Sequence, residues 1–447
     1  MNSLSRTFSE LRKYPSVIVG LTGITLLILL SIYTVIALPY KEAISLWRGD
    51  ENVWYKTPRI AQPTWINWFR KDDLPETLIL GSAAGEGTKT EEFSEGSKKI
   101  FISIPFEYNS QDFPQEVSLF FTSEFEEKQP YVSVKIITPD GRELKISSFS
   151  IGKTFNYRFS QDAKLQRKFF GISPEKAIFM DTDTENEPVA VPGKYELQIE
   201  SIAFEENAIV DVELVVFGKV YGLAGTDHRR RDLIIPLMWG APVALTFGLL
   251  SALGTSITTM IIAAFGTWYG GWVDEIIQRI TEVNLILPFL SILIMIGTFY
   301  SKSLWVMLIA VIALSIFGGA IKGFRAVFLQ IKEAPYVEAA RAYGASNTRI
   351  VMQYLVPRII PLLIPQLVIL IPANVFLEAS LTVLNLGDPV LPTWGKMINE
   401  ALNNRALLEG YYYWVMQPSV VLLFTGLSFA LVGFSLDRIF NPRLRGM

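Results

Sequence analysis

The sequence of 447 residues contains no cysteine and only one histidine, His228. No disulfide can therefore stabilise an external domain, and thiol chemistry and cysteine-ligated metal sites are excluded. A lone imidazole does not build a histidine-ligated metal site either, so we expect no bound metal. Charged residues make up only 19% of the chain, whereas 50% of it is hydrophobic. This composition is typical of an integral membrane protein and not of a soluble one.

The chain also lacks a phosphate-binding loop. Its glycine-rich stretch Gly81–Thr90 resembles such a loop only superficially, because Thr88 separates the last glycine from the lysine and no apolar helix follows. We therefore expect no nucleotide site. We also identify no catalytic residues, so the chain is not expected to be an enzyme.

Charge is distributed unevenly along the chain. Residues 39–220 hold 21 Lys/Arg and 30 Asp/Glu, a net charge of −9, and the remaining 19 Lys/Arg and 13 Asp/Glu give +6. Before this block, the uncharged run Val17–Leu38 is long enough for one transmembrane helix, and the basic tail 1–16 places its start in the cytoplasm. Residues 39–220 are therefore predicted to be an extracytoplasmic insert, followed by a membrane core at 221–447.

The insert has the pattern of an all-β domain. Short runs rich in β-branched and aromatic residues alternate with turn signals, and the turn Pro139–Gly141 joins two of them as a hairpin. This pattern predicts an antiparallel sandwich that serves for binding or docking. The predicted strands are Lys99–Ile104, Val117–Phe121, Tyr131–Ile137, Glu143–Ile146, Gly193–Glu200 and Ile209–Phe217.

The membrane core is predicted to contain five further spans. No charge occurs between Leu233 and Val273, which we interpret as an interfacial helix followed by one span. Six crossings in all place both termini in the cytoplasm. The loop 322–358 has six Lys/Arg against two acidic residues, which also favours the cytoplasm. The five spans are Pro242–Trp268, Ile280–Phe299, Leu304–Ile321, Ile359–Leu384 and Met416–Leu436.

Within this loop, the segment 322–357 is the part of the core that most clearly suggests a function. Strong helix formers occupy Glu338–Tyr343, and Gly344 follows where a left-handed cap would end a short helix. Its alanines offer a small-residue surface to a partner, and Glu338 and Arg341 are spaced for ion pairs. A second helix is predicted to follow, capped by Ser346 or Asn347 and ending near Pro357. By residue types alone, an ordinary amphipathic loop helix fits equally well.

The run Glu338-Ala339-Ala340, with Gly344 and Pro357 after it, resembles the EAA loop of the permease subunits of ABC importers. In that family the loop is a coupling helix that docks on the ATP-binding subunit. The resemblance therefore implies a coupling site formed by Tyr336, Glu338, Ala339, Ala340, Arg341, Gly344 and Ala345.

Other motifs resemble the dipeptide, oligopeptide and nickel permeases within this family. They are Gly225–Asp227, Gly270–Glu275, Pro392–Met397 and Asn441–Arg445, in the family's order. The implied fold is an α-helical membrane protein with six transmembrane helices, the type I ABC importer permease fold. The all-β, sandwich-like domain would be inserted between helices 1 and 2.

Three polar residues are candidates for the transport pathway or a subunit interface. Asn374 and Glu378 are four residues apart and share one helix face, and an ionisable residue inside a span usually faces the bundle interior. Glu378 and Glu282 also align with family acids. The alternatives are that Glu378 extends to water at the outer end of its span and that Glu282 is solvated at a helix start.

The resemblance implies one permease subunit of an ATP-driven importer in the cell membrane, for dipeptides or oligopeptides. Its implied partners are a second permease, two ABC ATP-binding subunits, an extracytoplasmic solute-binding protein and the lipid bilayer, with no nucleic acid. No cofactor is expected in this chain, since the ATP-binding subunits would hold ATP and Mg²⁺. Two alternatives remain open: the same architecture importing nickel or an oligosaccharide, and a membrane-anchored receptor or adhesion protein acting through its β-domain.

Overall fold

The computed structural model describes residues 15–49, 53–94, 97–181 and 188–440. The chain divides into two compact units. One comprises Gly49–Ile234 and is called the β unit; the other combines the residues up to Arg48 with those from Ile235 onward and is called the helical unit. Most of the basic tail 1–16 and the family-like segment Asn441–Arg445 lie outside the described residues.

The described part of the β unit contains two antiparallel sheets. The first has four strands in the order β1-β9-β4-β7, and the second has five in the order β2-β3-β8-β5-β6. The strands are β1 Leu78–Gly81, β2 Thr88–Ser94, β3 Ser97–Tyr108, β4 Glu116–Glu124, β5 Tyr131–Ile137, β6 Glu143–Ser150, β7 Thr154–Arg158, β8 Gly193–Ala203 and β9 Ile209–Phe217.

Side chains that alternate along the strands build the core of the β unit. In β5, alternate residues are buried, as the period of two requires for a strand with one covered face. The predicted turn at Pro139–Gly141 joins β5 to β6, and Gly141 adopts the left-handed backbone (φ +81°) that this turn needs. Two short helices, α3 (Ala163–Lys168) and α4 (Pro174–Phe179), interrupt the strand pattern.

All six predicted strands are present, but three further strands were not predicted. No strand was predicted before Lys99, but this part of the unit contains the polar strand β2, which lies at a sheet edge and pairs with β3 alone. An edge strand that is solvated needs no hydrophobic alternation, so its sequence carries little signal. The four-residue β1 and the five-residue β7 also lie at sheet edges.

The helical unit is built from helices throughout its described residues. They are α1 Pro15–Ala37, α2 Tyr40–Arg48, α5 Ile234–Tyr269, α6 Gly271–Ile286, α7 Phe289–Phe299, α8 Leu304–Ile316, α9 Ala320–Lys332, α10 Pro335–Ala342, α11 Asn347–Ile350, α12 Val356–Val383, α13 Trp394–Asn403 and α14 Tyr412–Phe440. Among the described residues, four helices are long and apolar enough to cross a membrane, or up to six if each of two bent pairs is one span. The count of six spans stays a prediction.

Three predicted spans differ from the structure. The separate interfacial helix was wrong, because α5 runs unbroken for 36 residues with Pro242 inside it. The span predicted at 280–299 is divided between α6 and α7, which are bent by 78°. Pro288 lacks an amide proton and disfavours helical backbone at Leu287, whose ψ is 134°. The span predicted at 304–321 is likewise divided between α8 and α9, bent by 49°.

The helix predicted to end near Pro357 instead continues. Residues Asn347–Val383 form one apolar helical stretch of 37 residues, in which α11 leads through a π-helical turn, Val351–Leu355, into α12. Pro357 is tolerated because it lies in the first turn of α12, next to the irregular turn. The end of the predicted cytoplasmic loop and the following predicted span therefore belong to one helical stretch.

Candidate functional site

The predicted coupling segment folds as a short helix with defined ends. Pro335 occupies the first turn of α10, where its missing amide proton costs no hydrogen bond. Gly344 follows the helix with φ +79°, as predicted for a left-handed cap. The next helix begins at Ser346, whose hydroxyl accepts a hydrogen bond from the Arg349 amide, so the predicted N-cap is confirmed at Ser346.

One face of α10 packs against the chain itself. Val337 and Ala340 are buried in a cluster that includes Phe328 and Ile350. Ala340 therefore keeps only 6% of its surface exposed, so the small-residue surface predicted for the alanines is reduced at this position. Ala339 remains exposed, as does Glu338.

A shallow groove lies over this helix and the turn after it. Its volume is about 380 Å³. Tyr343 projects at its side with 92% of its surface exposed, which is unusual for so large a ring. The lining residues are Tyr336, Ala339, Ala340, Tyr343, Gly344, Ala345, Arg349 and Tyr354.

Five of the seven predicted coupling residues line this groove, and Glu338 and Arg341 do not. The Arg341 guanidinium lies 4.9 Å from the centre of the Trp268 ring, so it makes a cation–π contact with the end of α5. Sequence reasoning missed Tyr343, Arg349 and Tyr354 as lining residues. Two of them lie beyond Gly344, and only the turn there brings them back to α10.

Two basic residues on α9, the helix before α10, contact α5 and α6. Lys332 donates to the carbonyl oxygens of Thr267 and Trp268 at 3.0 and 3.1 Å, where the last turn of α5 leaves carbonyls without helical partners. Arg325 makes a bidentate contact with Asp274, with Nε 2.8 Å from Oδ1. These contacts join α9, the helix before α10, to α5 and α6.

The structure buries two of the three predicted pathway residues. Asn374 and Glu378 lie on one face of α12, and Glu378 is only 4% exposed. Its Oε1 accepts a hydrogen bond from the Thr382 hydroxyl at 3.0 Å. Burial inside the unit argues against the alternative in which Glu378 extends to water. Its place in a pathway or subunit interface stays a prediction.

The third predicted residue, Glu282, has different surroundings from Asn374 and Glu378. It is exposed on α6 and forms an ion pair with Arg279, with Nη1 and Oε2 3.1 Å apart. Glu282 lies near the end of α6 and not at a helix start, so the helix-start alternative does not describe it, and its place in a pathway or subunit interface stays a prediction. Among the described residues, no three His, Asp or Glu side chains come together in a way that could hold a metal ion.

Comparisons with known proteins agree with the geometry. Residues 256–446 match the family described as binding-protein-dependent transport system inner membrane component. The dipeptide transport system permease protein DppC of Bacillus subtilis (strain 168) is 30% identical over 224 residues, covering 49% of this chain and 68% of that protein. The oligopeptide transport system permease protein OppC of Lactococcus lactis subsp. cremoris (strain SK11) is 29% identical over 222 residues, covering 49% of this chain and 75% of that protein.

A third relative widens the range of named substrates. The glutathione transport system permease protein GsiD of Pectobacterium atrosepticum is 27% identical over 224 residues, which are 49% of this chain and 72% of that protein. In each case about half of this chain is matched. This chain therefore belongs to the binding-protein-dependent inner-membrane transport family, as a permease of the dipeptide and oligopeptide class of ABC importers.

Proposed function

We propose that this permease carries dipeptides or oligopeptides and that the groove on α10 receives an ATP-binding subunit. The observation that carries the proposal is the groove itself, because residues chosen from the sequence meet in one concave, solvent-facing surface. The printed names of three relatives, for dipeptides, oligopeptides and glutathione, support a peptide cargo. Membership of the family argues against a receptor or adhesion protein.

The proposed coupling path runs along one continuous piece of chain. A partner seated in the groove would push on α10, whose cap at Gly344 leads within three residues to α11. From there the π-helical turn Val351–Leu355 continues into α12, which carries Asn374 and Glu378. Single π-helical turns inside α-helices often occur at functional sites. Movement at the groove would thereby reach the buried polar pair.

The arrangement in the membrane follows from charge. The loop 322–358 carries six Lys/Arg against two acidic residues, which supports a cytoplasmic groove, cytoplasmic termini and an extracytoplasmic β unit. ATP and Mg²⁺ would be bound by two partner ATPase subunits. A second permease and a solute-binding protein would complete the importer, with the chain itself supplying the path through the bilayer.

The coupling role is tested with Glu338→Lys and Gly344→Pro in the reconstituted importer. We expect both variants to insert into the membrane normally but to lose most uptake and most co-purifying ATPase subunit. Proline at Gly344 removes an amide that donates to the Arg341 carbonyl and cannot adopt φ +79°.

Matched controls are Glu409→Lys and Gly410→Pro, since Glu409 is an exposed acid and Gly410 also has a left-handed backbone (φ +83°). These controls should leave uptake unchanged. Normal uptake in Glu338→Lys and Gly344→Pro would reject the coupling role.

The cargo is tested separately by competition. Uptake of a labelled dipeptide into proteoliposomes that contain the complete importer should be reduced by excess unlabelled peptides and not by nickel or an oligosaccharide. Competition by nickel or the oligosaccharide alone would replace the peptide proposal with that solute and leave the coupling proposal intact.

A further inference from the structure

The two chain connections of the β unit lie at one end of its sheets. The incoming chain joins the sheet at β1, whose first residues lie opposite the last residues of β9. The outgoing chain leaves β9 at this same end and continues toward α5. The incoming segment also bridges the outgoing one, through Gln62 and Glu76, both paired with Val220. We call this the connecting end of the β unit.

A group of large apolar side chains projects from the connecting end. Trp68 is 84% exposed, Phe69 is 81% exposed and Leu223 is 71% exposed. Trp68 and Phe69 end a 3-10 helix in the incoming chain, Thr64–Phe69, whereas Leu223 belongs to the outgoing chain. We call these three residues the aromatic knob.

The knob is built into the fold and is not a loose loop. The Trp65 Nε1 donates to the Leu223 carbonyl at 2.9 Å, and the Thr64 amide donates to the Gly222 carbonyl at 2.9 Å. The Asn67 side chain donates to the Leu74 carbonyl and accepts from the Leu74 amide, at 3.0 and 3.1 Å. These bonds fix the turn between Asn67 and Leu74. Three apolar side chains are thus held exposed to water at a defined position. This exposure is energetically unfavourable, and the fold of this unit does not require it.

We propose that the aromatic knob lies in the interfacial layer of the lipid bilayer. Tryptophan and other aromatic side chains favour this layer, because one part of the ring is apolar and its polar edge stays hydrated. The covalent chain limits the distance: Leu223 is eleven residues before Ile234, where the apolar helix α5 begins. Eleven residues span at most about 40 Å even when fully extended.

Local charges favour lipid over an acidic or basic partner protein. The knob is followed by Arg70 and Lys71, then by Asp72 and Asp73, and all four are exposed, so their charges cancel. An electrostatic docking site would present one sign of charge. We therefore expect the knob to enter the bilayer through its apolar rings, with little dependence on lipid charge.

A further exposed aromatic side chain lies between β7 and β8. Phe170, between α3 and α4, is fully exposed on a left-handed backbone (φ +54°), which is unfavourable for an aromatic residue. The segment between β7 and β8, which carries Phe170, begins after Arg158. Arg158 pairs with Ser118, near the start of β4. The start of β4 lies opposite Phe217, the last residue of β9. The region that carries Phe170 therefore begins at the connecting end.

The absence of cysteine makes a direct test possible in the full chain. Trp68→Cys is labelled with an environment-sensitive fluorophore, and the protein is placed in bilayer nanodiscs made with ordinary or brominated lipids. The matched control is Phe93→Cys, because Phe93 is also an exposed aromatic, on β2. Phe93 lies near the β2–β3 turn, at the opposite end of the sheets from Tyr108. Leu223→Cys provides a second position in the knob.

We expect brominated lipid to quench most of the fluorescence at positions 68 and 223 and none at position 93, equally in zwitterionic and anionic bilayers. Equal, weak quenching at all three positions would overturn the proposal. So would a blue-shifted emission at 68 and 223 without quenching by brominated lipid, because the knob would then be covered by protein. Neither result depends on the coupling role of the α10 groove.

Discussion

The two units of this protein place their apolar residues in opposite ways. The β unit buries most of them, mainly in a cluster between its sheets that includes Ile102, Leu119 and Phe121. The helical unit leaves many large apolar side chains on its surface, such as Ile36, Phe299 and Leu423. The β unit therefore completes its core in water by itself, whereas the helical unit is complete only with lipid and partner chains around it.

Their buried polar groups differ in the same way. The β unit buries charge pairs, such as Arg231 with Asp227, whose atoms Nη2 and Oδ2 are 2.6 Å apart. In the helical unit, hydroxyls return to the carbonyl four residues earlier; Thr425 and Ser428 do so at 2.8 and 2.7 Å. A hydroxyl paired within its own helix suits hydrocarbon, where an ion pair would cost much more. Each unit thus meets the same requirement with the chemistry that its surroundings allow.

The largest expected effect is a loss of stability in the helical unit alone. Trp394 is fully buried, and its Nε1 donates to the Leu237 carbonyl at 2.8 Å. Trp394→Ala should lower the free energy of unfolding of this unit by about 3–5 kcal/mol, through the cavity and the lost hydrogen bond. Thermal unfolding in nanodiscs measures it, with Trp305→Ala on an exposed tryptophan as control. Equal midpoints for the two variants would contradict the prediction.

The second effect concerns the β unit and its pH dependence. Burial raises the pKa of Asp232 from its ordinary 3.8 to about 6, although its carboxylate accepts a bond from the Ile234 amide. The folded state therefore binds the proton more tightly than the unfolded state. This contribution to stability is complete below about pH 4 and is lost as the pH rises through about 6.

Asp232→Asn keeps the shape and an acceptor but cannot ionise. It should stabilise the β unit at neutral pH by at most about 3 kcal/mol and remove the slope between about pH 4 and 6. Unfolding followed as a function of pH in both proteins measures this. An unchanged slope in the variant would show that Asp232 ionises freely in the folded state.

A smaller effect is expected where the helical unit does use an ion pair. Asp274→Asn weakens the bidentate contact with Arg325, which is partly exposed, so we expect a loss of about 1–2 kcal/mol. Glu275→Gln is the matched control, because it removes the same charge from an exposed neighbour. Thermal unfolding of both variants decides whether the pair or the charge alone matters.

The smallest effect on stability is expected at the groove. Tyr343→Ala removes a ring that is almost wholly exposed, so unfolding should change by less than about 0.5 kcal/mol. Binding of the ATPase subunit should nevertheless fall, as measured by co-purification. Tyr300→Ala, on another exposed tyrosine, should leave binding unchanged. A stable variant with full binding would remove Tyr343 from the proposed interface.

The same contrast between the units explains what the sequence could predict. The strands β5 and β9 were predicted with their observed bounds, because alternation records which face is buried. Hydropathy located the apolar stretches of the helical unit but not the bends near Pro288 and Gly318. A run of apolar residues indicates that a segment lies in an apolar environment. It does not indicate where the helix bends.

The candidate site was predictable as far as it is local. Helix propensity and Gly344 located α10 and its end, and Ser346 identified the next cap. The contribution of Arg349 and Tyr354 depends on how the chain returns after that turn, which spacing does not encode. The burial of Ala340 depends on the helices packed beneath it, so residue type alone could not reveal it.

The 36-residue helix α5 also limits how this sequence can change. Gly240, Gly248, Gly254 and Gly266 occur along its length, and a β-carbon at each would lie 2.1–2.7 Å from an atom of another helix. At Gly240 and Gly248 the obstacles are the Trp394 ring and the Ile371 carbonyl oxygen, so even alanine would push a neighbouring helix away. At Gly254 and Gly266 the nearest atom is the far end of an isoleucine side chain, which can rotate away. The lipid-facing residues of α5 can exchange freely among apolar types, but Gly240 and Gly248 admit a single amino acid. Mutational tolerance around this helix should therefore follow its glycines more closely than its hydrophobicity.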